Sequence, residues 1–304
     1  AYDLELFLDM AWDIRSVGPQ SVNAHLERWL CREFGDEAGA LLGPAMSDCC
    51  RLASMRRPEF MGWSQVELPD RRRYPDGLSP VSDSEFNFDG FGDEAQRYID
   101  GLRKVSDLVL EAKKHVPQRR LDAYFASVEY PVNATRAMAE KMLYAQKARS
   151  RAKTTYAPGI WKTDSVMMAA AAASQTAYQE IRDLTRYYNE ELSGGKWRGL
   201  MCERPRDLHA FRAPVLPVML NEDECREWSE KASCWKAGAL DDLSDDFIAC
   251  NACDFLSASA EVTPVQNLGH SGNAVPVPKG GALDYSFETG ISGKTVLRIA
   301  LIPT

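Results

Sequence analysis

The residues that could do chemistry are few and scattered. Cys250-Asn251-Ala252-Cys253 has the two-residue gap of a metal knuckle, and Cys225 and Cys234 could complete a four-thiolate zinc site. That second pair has eight residues between its members, however, and the segment around 250 reads as a strand, where residues three apart face opposite sides. Strand packing is the better account of Cys250 and Cys253. Asp241-Asp242-Leu243-Ser244-Asp245-Asp246 offers hard oxygens to calcium but lacks the alternating ligands and the glycine of a dedicated loop, so it reads as a solvated acidic turn. Arg71-Arg72-Arg73 could hold an anion, but nearby Asp70 and Asp76 make a self-paired, solvated loop the simpler account. His25, His115, His209 and His270 are dispersed, and no Gly-x-Ser-x-Gly motif is present. His270 lies in a glycine-rich turn, where bonding to its own backbone accounts for it. Carboxylates are abundant, but no two are singled out for general acid–base work. Chemistry alone assigns no catalytic residue, no metal ligand and no cofactor.

The elements that would position these groups are clearer. Leu121, Phe125, Val128, Val132, Thr135, Met138, Met142 and Ala145 recur at steps of three or four, which predicts one face of a long helix. Val166, Ala170, Ala173, Ala177, Ile181, Leu184 and Tyr188 predict a second. Tyr156-Ala157-Pro158-Gly159 interrupts them, so the pair should form an antiparallel hairpin. Pro131 should kink or split its first helix, Asp164 or Ser165 should cap the second, and Gly194-Gly195 should end it in a left-handed turn. Upstream, helices are expected over 3–15, from Ser21 as cap to Phe34, over 37–54 with Pro44 inside, and over 93–116. The proline-rich stretch 56–92 reads as a long loop. Cys31, Cys49 and Cys50 are expected as small buried residues. Downstream, Asn221 and Glu224 sit as a capping box before a short helix carrying Trp228 and Trp235. Strands are expected over 247–256, 261–266, 273–277, 282–288 and 294–302, separated by glycine-rich turns.

The balance of 36 Lys plus Arg against 44 Asp plus Glu gives a formal charge of −8, which argues against general nucleic-acid or anionic-membrane binding. No apolar run approaches the ~18 residues of a spanning helix, and no signal peptide is visible. With 45% hydrophobic residues, the 304-residue chain has ample material for a core. It starts without Met and stops on a strand-like run at 295–302, which suggests a piece of something larger.

The organising hairpin resembles a known family. Ala123-Tyr124-Phe125-Ala126-Ser127-Val128-Glu129-Tyr130-Pro131-Val132-Asn133-Ala134 is similar to the "YPVKA" helix of glycoside hydrolase family 115, the xylan α-1,2-glucuronidases. Lys141 to Arg151, with Tyr144-Ala145-Gln146-Lys147, continues the likeness. Leu184-Thr185-Arg186-Tyr187-Tyr188-Asn189 and Gly194-Gly195-Lys196-Trp197 resemble the next helix and its "GGKW" exit. Phe7-Leu8-Asp9-Met10-Ala11-Trp12-Asp13 and Arg56-Arg57-Pro58-Glu59 resemble the segment after the family's catalytic barrel. Leu268-Gly269-His270-Ser271-Gly272-Asn273-Ala274-Val275 resembles its C-terminal β-domain, although Cys250-Asn251-Ala252-Cys253-Asp254-Phe255 stands where an acidic, aromatic strand is usual.

The resemblance implies an inverting enzyme that removes 4-O-methyl-glucuronic acid from xylan, with catalytic carboxylates in a barrel that this chain does not contain. No catalytic residue is carried over. The expected fold is α+β multidomain: an all-α helical bundle over 1–200, a connector over 201–246, and a partial, truncated β-sandwich-like domain over 247–304. The expected role is a C-terminal fragment supporting the barrel and a homodimer. Its partner is xylan or a glucuronoxylo-oligosaccharide through the parent enzyme, with a secreted or periplasmic setting implied by the family. The alternative is a non-catalytic carbohydrate-binding or scaffold module, with Trp228, Trp235 or Tyr285 as a stacking platform rather than ordinary packing.

Overall fold

Helix α6, Tyr130–Thr154, is the axis of the protein, and its burial explains the arrangement of the other elements. The computed structural model describes residues 2–55, 83–84, 86, 88, 93–154, 164–202, 209–237, 252–266 and 273–287. Along α6 nearly every side chain from Ala137 to Arg149 is buried, on all sides of the helix. A helix apolar or buried all round must be enclosed by others. Here α4 (Glu94–Lys113) lies on one side and α7 (Ser165–Glu190) on the other.

The helix approaching α6 is not uniform. Leu121–Tyr124 is α5, and Phe125–Glu129 widens into a π turn before α6 begins at Tyr130. Pro131 has no N–H and crowds the turn before it. The π turn relieves this: the N–H of Tyr130 donates to the carbonyl of Phe125, five residues back. Ser127 Oγ adds a 2.6 Å bond to the Ala123 carbonyl. The expected split at Pro131 is therefore present, as a widened turn rather than a break.

Contacts between α6 and α7 run antiparallel. Tyr130 meets Thr185, Arg136 meets Glu180, and Ser174 Oγ donates to the Lys141 carbonyl at 2.6 Å. Ala169 to Ala173 are all buried, and their small side chains let the two backbones approach closely. Asp164 caps α7 by accepting from the Met167 N–H at 2.9 Å, and its other oxygen takes Arg151 Nε at 2.7 Å. At the far end Ser193, Gly194 and Gly195 adopt positive φ, the left-handed exit expected there. The interrupting residues 156–159 lie outside the described residues.

Two earlier helices complete the bundle. α2 (Val22–Phe34) and α3 (Asp36–Met55) are joined at Gly35 and cross closely. A Cβ on Gly39 would stand 2.4 Å from Cys31 Sγ, so only glycine allows that approach. α3 then lies against α4, with Leu52 beside Gly101. Pro44 is accommodated within α3. α1 (Tyr2–Trp12) rests on α2 through Tyr2, which packs against His25 and Trp29 and donates to the Val22 carbonyl.

Three local expectations are corrected. Ser21 does not cap α2; its hydroxyl closes a turn with Gly18 instead, accepting from the Gly18 N–H at 3.0 Å. Cys50 is exposed rather than buried, because it sits on the solvent side of α3, while Cys31 and Cys49 are partly buried. Trp235 lies beyond α8 (Glu222–Ser233), although the Asn221–Glu224 capping box forms with both bonds in place.

The C-terminal part carries two antiparallel pairs, β1 (Ser257–Ala258) with β4 (Leu283–Asp284), and β2 (Val265–Gln266) with β3 (Asn273–Ala274). The expected strands shrink accordingly: 252–256 are turns and irregular chain, and the pairing begins at Ser257. Alternation marks chain that suits a sheet, but a ladder extends only where a partner runs alongside. The stretch 294–302 and Arg71-Arg72-Arg73 lie outside the described residues.

Candidate functional site

Charged and polar side chains concentrate on α6, and they are mostly buried. On its α4 side, Asn133 Oδ1 accepts from Ser106 Oγ at 2.6 Å, and Glu140 takes Arg103 Nε at 2.6 Å. Toward α7, Arg136 bridges Glu140, at 2.8 Å, and Glu180. Glu140 is thus held by two guanidinium groups, and Arg136 serves two carboxylates. Burial raises the Glu180 carboxyl above the ordinary range, and Arg136 opposes that shift. Glu129 pairs with Lys113 at 2.8 Å. These acids are engaged in fastening helices to one another.

A second set on α6 grips irregular chain. Lys141 is fully buried, and its Nζ donates to the carbonyls of Ala210 (2.8 Å) and Arg212 (2.9 Å). The Tyr178 ring faces the same ammonium at 5.4 Å. Burial lowers the Lys141 pKa to about 7. Gln146 accepts from both the N–H and the hydroxyl of Ser84 and donates to the carbonyl of Phe86 at 2.7 Å. Arg149 donates to the Val215 carbonyl at 2.7 Å and to Asp83 Oδ1 at 2.5 Å. On α7, Gln175 clasps both backbone groups of Leu220, and Tyr178 donates to the Phe211 carbonyl. Backbone groups of this irregular chain are thereby satisfied by side chains.

An open groove of about 1220 Å³ runs along the outer face of α7, where it meets α8 and residues 213–220. Phe125, Tyr178 and Tyr187 give it ring faces, and Glu129, Glu180 and Arg182 give it charge. Rings beside paired carboxylates and arginines suit a polar ligand with apolar faces. A smaller hollow of about 430 Å³ lies beside Trp235, where Lys147 Nζ stands 4.0 Å from the indole centre.

The residues singled out from sequence do not converge. His25 meets Asp9 at 2.9 Å and His115 meets Glu37 at 2.8 Å, while His209 opens a short turn ending at Phe211. His270, Cys250 and Asp241 to Asp246 lie outside the described residues. Cys225 and Cys253 are partly buried, Cys234 is exposed, and no set of three or more potential metal ligands gathers among the described residues. Trp228 packs on the core with Lys231 Nζ 3.4 Å from its ring centre. Trp235 meets Tyr144 edge-on at 5.7 Å. Tyr285 lies parallel to Phe287 and donates to the Ala252 carbonyl at 2.6 Å. Sequence reasoning missed Arg136, Glu140, Lys141, Gln146 and Arg149. The available signal was that their helix carries apolar residues on every face, so its charges had to be buried too.

Comparison with known proteins agrees with the resemblance. The family model described as glycosyl hydrolase family 115 matches residues 1–60. Over 90% of the chain, a solved structure superposes with a TM-score of 0.54 at 28% identity. It is described as a family GH115 4-O-methyl-alpha-glucuronidase, BtGH115A, with specificity for decorated arabinogalactans. This chain is related to glycoside hydrolase family 115. It spans 30% of the length of that GH115 structure. No protein of curated function matches it significantly. No helix among the described residues is long and apolar enough to cross a membrane.

Proposed function

We propose that this chain is a non-catalytic, C-terminal portion of a GH115-type α-1,2-glucuronidase, whose bundle supports the catalytic barrel. One observation carries the reading: nine-tenths of the chain aligns with a GH115 glucuronidase, yet that alignment occupies 30% of the enzyme. The paired acids fit a supporting role, since Glu140, Glu129 and Glu180 each hold a cation from a neighbouring helix. The substrate of the whole enzyme is a glucuronoyl-decorated polysaccharide, xylan or a decorated arabinogalactan. The bundle occupies 1–200, the connector 201–246 and a β-sandwich-like domain 247–304, and the enzyme is a homodimer. Incubation of the 304-residue chain with glucuronoxylan tests the role. No release of 4-O-methyl-glucuronic acid is expected, and measurable release would place catalysis inside this chain.

A carbohydrate-binding role is the second reading. The parallel Tyr285 and Phe287 rings, with Phe287 43% exposed, favour it. Retardation of the chain in a xylan-containing affinity gel, abolished in Phe287→Ala, would support it; unchanged mobility would leave the supporting role alone.

A further inference from the structure

Helix α1 faces the wrong way for a surface helix. Its inward side is polar: Asp9 Oδ2 meets His25 Nε2 at 2.9 Å, and Glu5 meets Arg32 at 2.5 Å. Its outward side is apolar. Leu4 is 63% exposed, Phe7 65%, Leu8 55% and Trp12 94%, and Ile14 just beyond is 80% exposed. No residue of α1 is buried. The usual amphipathic surface helix buries this stripe and solvates the charges. Here two ion pairs and the Tyr2–His25–Trp29 ring contacts fix the opposite orientation, so rotation inward would break them. Large exposed apolar faces on folded proteins commonly mark interaction surfaces.

We infer that the outward face of α1 is the docking surface for the remainder of a GH115 polypeptide, the part of that architecture this chain does not span. This rests on the supporting role proposed above and names the surface that performs it. Two observations choose the occupant. α1 lies within the only stretch that the family model matches, residues 1–60, and the related structure has 70% of its length beyond the region aligned here. Charge argues against the other occupants. Asp3 and Asp13 flank the apolar face, so a second copy of α1 or an anionic bilayer would bring like charges together. An apolar surface with a neutral or basic rim fits instead.

The test uses the polypeptide as its source makes it, with a benzophenone side chain replacing Phe7, irradiated and mapped by peptide mass spectrometry. The expected crosslink joins α1 to a peptide that aligns with the part of BtGH115A outside the present match. Trp12→Glu should lower its yield about tenfold or more, as loss of a central aromatic anchor does. Because Trp12 is almost fully exposed, the variant should fold normally, and an unchanged melting temperature confirms that. A crosslink to a second α1, or none at all, overturns the inference. A native polypeptide that contains nothing alignable with the rest of BtGH115A would overturn the supporting role itself, and intact mass separates that result from the others.

Discussion

Helices α6 and α1 break the usual amphipathic rule in opposite directions. α6 buries charge: Glu140, Lys141 and Arg149 are each under 10% exposed. α1 exposes apolar side chains, up to Trp12 at 94%. In α6 the buried polar heads meet partners on neighbouring elements, which offsets part of their desolvation, although Arg149 Nε finds none and burial still lowers the Lys141 pKa. In α1 the polar residues take the inward positions because α2 offers His25 and Arg32 there. Periodicity identifies a helix face, but the partners waiting on the neighbouring element decide which face turns in.

The comparison breaks most sharply at Arg149. Its side chain is 1% exposed and ties α6 to Val215 and Asp83. Arg149→Met keeps the volume but removes both bonds, leaving a carbonyl and a carboxylate without their donor. Loss of one partner of a buried pair typically costs about 3–5 kcal/mol, and Asp83, being 28% exposed, places the expectation near ~3 kcal/mol. Urea unfolding at neutral pH measures it. A cost below ~1 kcal/mol would mean that α6 tolerates its buried charges rather than using them.

Lys141 gives the same comparison a pH dependence. Its folded pKa, about 7, lies below the ordinary lysine value of 10.5. Between these values the unfolded chain binds a proton that the folded chain does not, so stability rises with pH. Below pH 7 both states are protonated and the cost of burying the charge is fully present. Above about pH 9 the raised Cys49 thiol, pushed up to about 11, begins to reverse the trend. The clean window is therefore pH 7–9, where wild type should gain on the order of 2 kcal/mol. Lys141→Met should flatten that slope in denaturation midpoints, and an unchanged slope would assign the titration elsewhere.

At the start of α7 the expected effect is smaller. Asp164→Ala removes the cap on the Met167 N–H and the contact with Arg151. The cost should be about 1 kcal/mol, seen as a lower thermal midpoint. Asp164→Asn should recover most of it, because the amide oxygen can still accept.

The hairpin was legible because its apolar positions repeat in phase over many turns: Val132, Met138, Met142, Ala170, Ala177 and Ile181 are all buried as expected. Asp164, the Asn221–Glu224 box and the left-handed Gly194-Gly195 exit were legible because capping is local chemistry. The fasteners on α6 were not legible, since Gln146 and Arg149 find partners about sixty residues away. The strand extents failed for a related reason. Residues 282–288 alternate, but only Leu283–Asp284 has β1 beside it. The direction of α1 was hidden too, because Asp9 and Glu5 look like solvent-facing residues until α2 is placed.

The smallest expected effect is the most informative about α1. Replacing an exposed tryptophan by glutamate in the isolated 304-residue chain should change stability by less than ~0.5 kcal/mol, since surface substitutions that touch nothing rarely exceed that. Trp12 at 94% exposure has almost no contact to lose. The same substitution at Phe34, 2% exposed and edge-on to Trp29 and Tyr124, would empty part of the core and bury a charge. Thermal unfolding of Trp12→Glu in the isolated chain therefore reports whether α1 carries any of its own stability through that face. A loss of 2 kcal/mol or more would mean that the indole is covered within this chain, and the inverted orientation of α1 would be wrong. No loss, together with unchanged Asp9–His25 pairing, would leave a helix whose apolar side contributes to stability only when something outside these residues covers it.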